Sequence, residues 1–275
     1  MCDLNGCGTQ AKLPALKIDP QQRRLFLQGL AALPLAAVLA YPELARAAAE
    51  GLETVSLKVG DQEVSAALAL PEAEKAPAVV LIHEWWGLND QIKAVASELA
   101  KMGYIALAVD LYGGESATDA DGAKALMSAV DAEQATATLT GWIDFLKNHE
   151  RSTGKVATLG WCFGGGWSLN ASVATPVDAT VIYYGRVTTP AAELEQLQGP
   201  VMGHFGKQDQ NINEEMVAGF EKEMEAAGKS DDLTVYWYDA DHAFANPTGS
   251  RYDEANAALS WERTSAFLQE QLQEG

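Results

Sequence analysis

Residues 156–173 read Val156-Ala157-Thr158-Leu159-Gly160-Trp161-Cys162-Phe163-Gly164-Gly165-Gly166-Trp167-Ser168-Leu169-Asn170-Ala171-Ser172-Val173. The first six suit a strand, the glycines a tight turn, and the remainder a helix from about Gly165 to Val173. Gly160-x-Cys162-x-Gly164 has the spacing of a nucleophile elbow, with Cys where Ser is usual. The turn is so sharp that side chains two before and two after Cys162 would collide. It leaves the sulfur at the N-terminus of the next helix, where the helix dipole favours a thiolate. The backbone N–H of Phe163 is then placed to donate to an oxyanion. A plain glycine-rich turn around a buried cysteine has the same appearance, so neighbouring segments must decide.

Strands and helices alternate on both sides of this stretch. Residues 52–59 and 62–70 each alternate apolar and polar around Gly60-Asp61, which predicts a hairpin. Residues 78–82 and 105–109 are short, continuous apolar runs that suit strands covered on both faces. A helix is expected from Asp90, with Ile92, Val95, Leu99 and Met102 at helical spacing and Gly103 as its stop. A second helix is expected over 131–146, and strands over 179–184, 200–205 and 233–238. Asn213 caps a helix running to about Ala227, and a last helix covers about 252–271. This order predicts an α/β fold: a mostly parallel central sheet with helices on both faces, forming one domain over residues 51–275.

In such sheets, ligands bind beyond the carboxyl ends of the strands. Three residues there each follow a strand, in the chain order Cys162, Asp209, His242. Nucleophile, acid, histidine is the chain order of α/β-hydrolases. His242 would take the thiol proton and return it to a leaving group, and Asp209 would hold the imidazole in one tautomer. Asp239 and Asp241 are rival acids. Asp209 is preferred because it follows its own strand, whereas Asp241 adjoins His242 and would point away.

The chain has 275 residues, with 19 basic against 38 acidic, a net charge of -19. Such a chain repels nucleic acid and anionic lipid. Its 48% hydrophobic content excludes a disordered class. Residues 1–50 read as an export signal and N-terminal extension. Arg23-Arg24 precedes an apolar stretch from Gly29 to Ala40, then Ala45-Arg46-Ala47-Ala48-Ala49. Paired arginines, a modest apolar core and an A-x-A site resemble a twin-arginine signal, cut after Ala47 or Ala49. The apolar core is too short for a membrane span, so no stable membrane insertion is expected after cleavage. A periplasmic or secreted protein follows, with the twin-arginine machinery as its partner in transit. Cleavage removes Cys2 and Cys7 and leaves Cys162 as a lone thiol, which is either buried and inert or retained for its reactivity.

Taken together, these segments resemble the dienelactone hydrolase family. The matching stretches are His83-Glu84-Trp85-Trp86-Gly87-Leu88, Asp110-Leu111-Tyr112, Gly160 to Gly165, Tyr183-Tyr184-Gly185, Gly206 to Asp209 and His242-Ala243-Phe244. The resemblance implies the α/β-hydrolase fold, a triad of Cys162, Asp209 and His242, and an oxyanion hole from the N–H groups of Phe163 and Trp85. It also implies that Glu84 contacts the resting thiol and keeps it unreactive until substrate binds. The expected substrate is a small ester or lactone, with no cofactor or metal; His83 and His149 lack ligand spacing, and His204 suits a core position. There is one departure: the family holds a substrate carboxylate with arginines, one of them four residues beyond the histidine, and here that position is Asn246. An amide does not replace a bidentate guanidinium clamp. Arg186 and Arg251 are possible substitutes, Trp85, Trp86, Tyr112, Tyr184 and Phe244 are candidates for the pocket wall, and Asn246 is counted with them as a substrate-binding residue. Two alternatives remain at this stage: a thioesterase or peptidase on the same scaffold, and a non-catalytic periplasmic binding or redox-sensing protein.

Overall fold

The computed structural model describes residues 35–274. Arg23, Arg24, Cys2, Cys7 and most of the expected export signal lie outside that range. Eight strands form one sheet: β1 (Glu53–Val59), β2 (Gln62–Ala69), β3 (Ala76–Ile82), β4 (Ile105–Val109), β5 (Ser152–Trp161), β6 (Ala179–Tyr183), β7 (Val201–Gly206) and β8 (Leu233–Tyr238). Their order is β1-β2-β4-β3-β5-β6-β7-β8. β1 and β2 form the antiparallel hairpin, β2 pairs antiparallel with β4, and every later pairing is parallel.

Both faces are covered, which is why the central strands are apolar without alternation. On one face, Val79 and Leu81 of β3 pack with Ile92, Val95 and Leu99 of α3 (Asp90–Lys101) and with Phe267 and Leu268 of α9 (Glu254–Leu272). On the other, Ala78, Val80 and Ile82 meet Leu139, Trp142 and Ile143 of α5 (Ala132–Lys147). Farther along that face, Leu169 of α6 (Phe163–Ala174) and Phe220 of α8 (Glu214–Ala226) cover Ile182 and Phe205. Helix starts are fixed by short polar side chains. Asn89, Asp131, Asn213 and Asp253 each accept a backbone N–H of the helix they precede, worth about 1 kcal/mol apiece.

The expected strands and long helices are present, with shifted ends. β5 begins at Ser152, and α6 begins at Phe163, directly after the cysteine. A helix absent from the sequence reading, α4 (Ala120–Ala129), follows β4; it is rich in small residues, and its packed face is Ala120, Ala123 and Met127, of which only Ala123 is buried. Residues 35–49 form two short helices, α1 (Leu35–Ala40) and α2 (Pro42–Ala49). Val38, Leu39, Leu44 and Ala45 are buried in the same cluster as α3 and α9. The last part of the expected leader is therefore packed on the domain, and residue 50 falls in the turn between α2 and β1. Among the described residues no helix is long and apolar enough to cross a membrane.

Candidate active site

The chain turns from β5 into α6 at Cys162, which sits at φ 54 and ψ -113. An L-residue pays about 1–3 kcal/mol for such a conformation. Backbone contacts impose it: Cys162 N–H donates to the Tyr183 carbonyl at 2.9 Å, and the Cys162 carbonyl accepts from Gly165 and Gly166 at 3.1 and 3.3 Å. A Cβ on Gly160 would lie 2.0 Å from the Gly164 carbonyl oxygen, and one on Gly164 would lie 2.1 Å from that of Ile82. These two glycines let the first turn of α6 rest directly on β3 and β5. Beneath it, a buried hydroxyl cluster ties helix to sheet. Ser168 Oγ donates to the Val181 carbonyl at 3.0 Å and lies 2.8 Å from Thr158 Oγ1, and Thr180 Oγ1 donates to Ser172 Oγ at 2.7 Å.

Cys162 Sγ lies 3.2 Å from His242 Nε2, and His242 Nδ1 lies 2.5 Å from Asp209 Oδ2. His242 arrives on the loop after β8, and Asp209 on the loop after β7. Asp209 Oδ1 accepts the N–H groups of Asn211 at 2.8 Å and Ile212 at 3.0 Å. Burial opposes ionisation of Asp209, but the hydrogen bond and charge of His242 and those two N–H groups outweigh it and hold the carboxyl below its ordinary value. The rival acids face elsewhere. Asp241 accepts the backbone N–H of His242 itself, at 2.6 Å, and Asp239 accepts from Gln208.

Glu84, on the loop after β3, is buried. Tyr184 Oη donates to its Oε1 at 3.2 Å and Asn246 Nδ2 to its Oε2 at 2.6 Å. The Asn246 carbonyl oxygen in turn accepts from Thr248 N–H at 3.0 Å and Thr248 Oγ1 at 2.9 Å. Burial, and then the negative charge available at Glu84 and Cys162, push the Tyr184 phenol well above its usual range, so it stays a donor. Burial lowers His83 to about 4, leaving a neutral ring. Its Nδ1 donates to the Glu84 carbonyl at 2.6 Å and its Nε2 accepts from Leu111 N–H at 3.3 Å, which fixes the loop that carries Glu84.

A cavity of about 310 Å3 opens on Cys162, with Trp85, Phe163, Tyr184, Arg186 and His242 in its wall. Trp86, Tyr112, Phe244 and Asn246, also expected there, are not in that wall. Trp86 packs edge-on against Trp85, and Tyr112 Oη donates to the Trp85 carbonyl at 3.1 Å. Phe244 is fully buried between Tyr184 and Tyr238. Asn246 lies deeper, on Glu84. Arg251 is within 3.8 Å of Asp241 and is also absent from the wall. The sequence reading missed Met127, Trp167, Asn170, Thr188 and Ile212 of the same cavity. Trp167 had a usable signal, being four residues beyond Phe163 on one helix face. Met127 had none, because its helix went unseen. Among the described residues no group of three or more His, Cys, Asp or Glu side chains is placed to hold a metal ion. His204 is a buried strand residue hydrogen-bonded to Tyr238 and Thr264.

The arrangement sets a thiol, an imidazole in contact with it and a carboxylate on the far ring nitrogen beside one cavity. Comparisons with known proteins identify the family. The model of the dienelactone hydrolase family matches residues 64–272. A Saccharolobus solfataricus protein provisionally named a carboxymethylenebutenolidase is 31% identical over 245 residues, covering 75% of this chain and 93% of that protein. The carboxymethylenebutenolidase of Pseudomonas putida is 29% identical over 231 residues, covering 78% and 95%. A crystal structure of a dienelactone hydrolase-like promiscuous phosphotriesterase from metagenomic libraries superposes with a TM-score of 0.73 at 26% identity, over 80% of this chain and 98% of that one.

Proposed function

Starting from the fact that the chain belongs to the dienelactone hydrolase family, we propose that it cleaves a small ester or lactone through a thioester on Cys162. The observation that carries this reading is the continuous line from Cys162 Sγ through the His242 ring to Asp209, ending at the 310 Å3 cavity. His242 Nε2 takes the thiol proton as Sγ attacks the carbonyl carbon. The oxyanion that forms is held by the N–H groups of Phe163 and Trp85. Phe163 suits this because the first N–H of a helix has no carbonyl four residues back. The tetrahedral species collapses, the C–O bond breaks, and His242 gives its proton to the alkoxide. Water, deprotonated by His242, then attacks the thioester and releases the acid and the free thiol. Asp209 keeps Nδ1 protonated throughout, so that Nε2 is the basic nitrogen.

Glu84 belongs to the same reading as the group that quiets the resting thiol. If Glu84→Gln left both the rate and the pH dependence of Cys162 alkylation unchanged, that role would fail. Export by the twin-arginine route, with cleavage after Ala47 or Ala49, is part of the proposal; N-terminal sequencing of the protein recovered from the cell envelope tests it. The chemistry is tested by a panel of esters, lactones, thioesters and peptides, with mass analysis of quenched enzyme. Turnover of an ester or lactone, with an acyl adduct on Cys162, is expected. Undiminished hydrolysis by Cys162→Ala would remove the thioester mechanism. No turnover of any class, with thiol reactivity independent of His242, would favour a binding or redox-sensing protein.

A further inference from the structure

A second cavity, of about 190 Å3, lies behind Glu84 and Tyr184 and does not include Cys162 in its wall. Leu35 and Leu39 of α1 close one side, Val95 of α3 and Trp161 of β5 the floor, and Tyr252 and Trp261 the far side. Apart from Glu84, Asn89, Gln91 and Asn246, the lining is hydrocarbon and aromatic. Among the described residues no cationic side chain lines it, and a charged guest would give up its hydration there. An apolar cavity of about 150 Å3 is enough to hold benzene. The volume here suits one ring or a short alkyl chain.

α1 is held to the domain by Val38 and Leu39, which pack in the same apolar cluster as α3 and α9. Gln91 Nε2 of α3 donates to the Leu39 carbonyl at 3.2 Å. The same amide nitrogen lies 3.1 Å from Thr248 Oγ1, Thr248 donates to Asn246, and Asn246 donates to Glu84. A continuous chain of hydrogen bonds thus connects the backbone of α1 to the buried Glu84 carboxylate.

We propose that this cavity, in the chain that retains residues 35–49, is a binding site for a neutral apolar group of single-ring size with α1 as its wall; cleavage after Ala47 or Ala49 would open it. The inference stands apart from the hydrolytic reading, because neither the cavity nor the wall uses Cys162 or His242. Toluene titrated into the full chain, followed by ligand-observed NMR and by thermal unfolding, tests it. Saturable binding at millimolar concentration or tighter is expected, with no binding of benzoate. Val95→Phe fills the floor, and Ala258→Trp intrudes from an exposed position that tolerates bulk. Each should weaken toluene by at least about tenfold, and the second keeps the test alive if the first does not fold. Leu39→Ala should admit naphthalene, which the native chain refuses. Capping Cys162 with iodoacetamide should leave toluene binding unchanged. The proposal is overturned if toluene does not saturate, if both filling variants bind it as well as the native chain, or if capping Cys162 abolishes binding. Failure of Leu39→Ala to admit naphthalene would remove α1 as the wall.

Discussion

Asp209→Asn separates the proposed orienting role of this residue from simple loop support. Asp209 uses one oxygen to accept from Asn211 and Ile212 at 2.8 and 3.0 Å and the other to face His242 Nδ1 at 2.5 Å. An asparagine can keep its carbonyl on the two backbone donors, so the loop should survive. Its NH2 then faces Nδ1 and turns that nitrogen into an acceptor. The ring proton moves to Nε2, which can no longer take the thiol proton 3.2 Å away. Flipping the amide restores the tautomer but sets NH2 against two N–H donors, at about 1–3 kcal/mol for each polar group left unmatched. The wrong tautomer costs serine hydrolases about 10⁴-fold in kcat, or about 5.5 kcal/mol of barrier. Cysteine depends less on its base, so a loss of about 10³- to 10⁴-fold is expected here. The assay is hydrolysis of an activated aryl ester, with iodoacetamide labelling of Cys162 and thermal unfolding measured on the same sample. The thiol should alkylate more slowly at neutral pH while the fold persists. Activity within about tenfold of the native enzyme would refute the reasoning.

Other outcomes follow from the same geometry. His83 and His204 are buried, and their folded values near 4 and 3 lie below the ordinary 6.5. The unfolded chain therefore binds two protons that the folded chain refuses. Stability should be full above pH 6.5 and fall as the pH drops, by about 2 kcal/mol per histidine on reaching pH 5; equal urea midpoints at pH 7 and pH 5 would contradict this. Gly160→Ala drives a Cβ to 2.0 Å from the Gly164 carbonyl oxygen, and loss of soluble protein or of several kcal/mol is expected on denaturant titration. Asn246→Ala removes the 2.6 Å donor from buried Glu84 and should cost about 1–3 kcal/mol in urea unfolding. Asn246→Asp, which sets a second carboxylate there, should cost more.

Most of the sheet was legible because apolar runs such as residues 78–82 admit few other readings, and each strand carried its chemical residue just past its end. Chain order sufficed to pair Cys162 with Asp209 and His242, although 33 residues separate the last two. What escaped were relations with no periodic trace. The contact of Asn246 with Glu84 spans 162 positions and sets Asn246 on a buried carboxylate, outside the wall of the cavity at Cys162. The helix Ala120–Ala129 escaped because its packed face, Ala120, Ala123 and Met127, is short and mostly alanine. Residues 35–49 read as leader by composition; that Val38, Leu39, Leu44 and Ala45 also fit the groove on α3 and α9 is a matter of shape, which composition does not carry.

The seat of Cys162 is built from main chain touching main chain, whereas the rim of the opening above it is built from interchangeable side chains such as Trp85, Phe163, Trp167 and Arg186. Aim and taste are thereby supplied by different atoms. A lineage, or a directed-evolution campaign, can recarve the mouth for a bulkier or differently charged guest while the sulfur keeps its bearing on the imidazole.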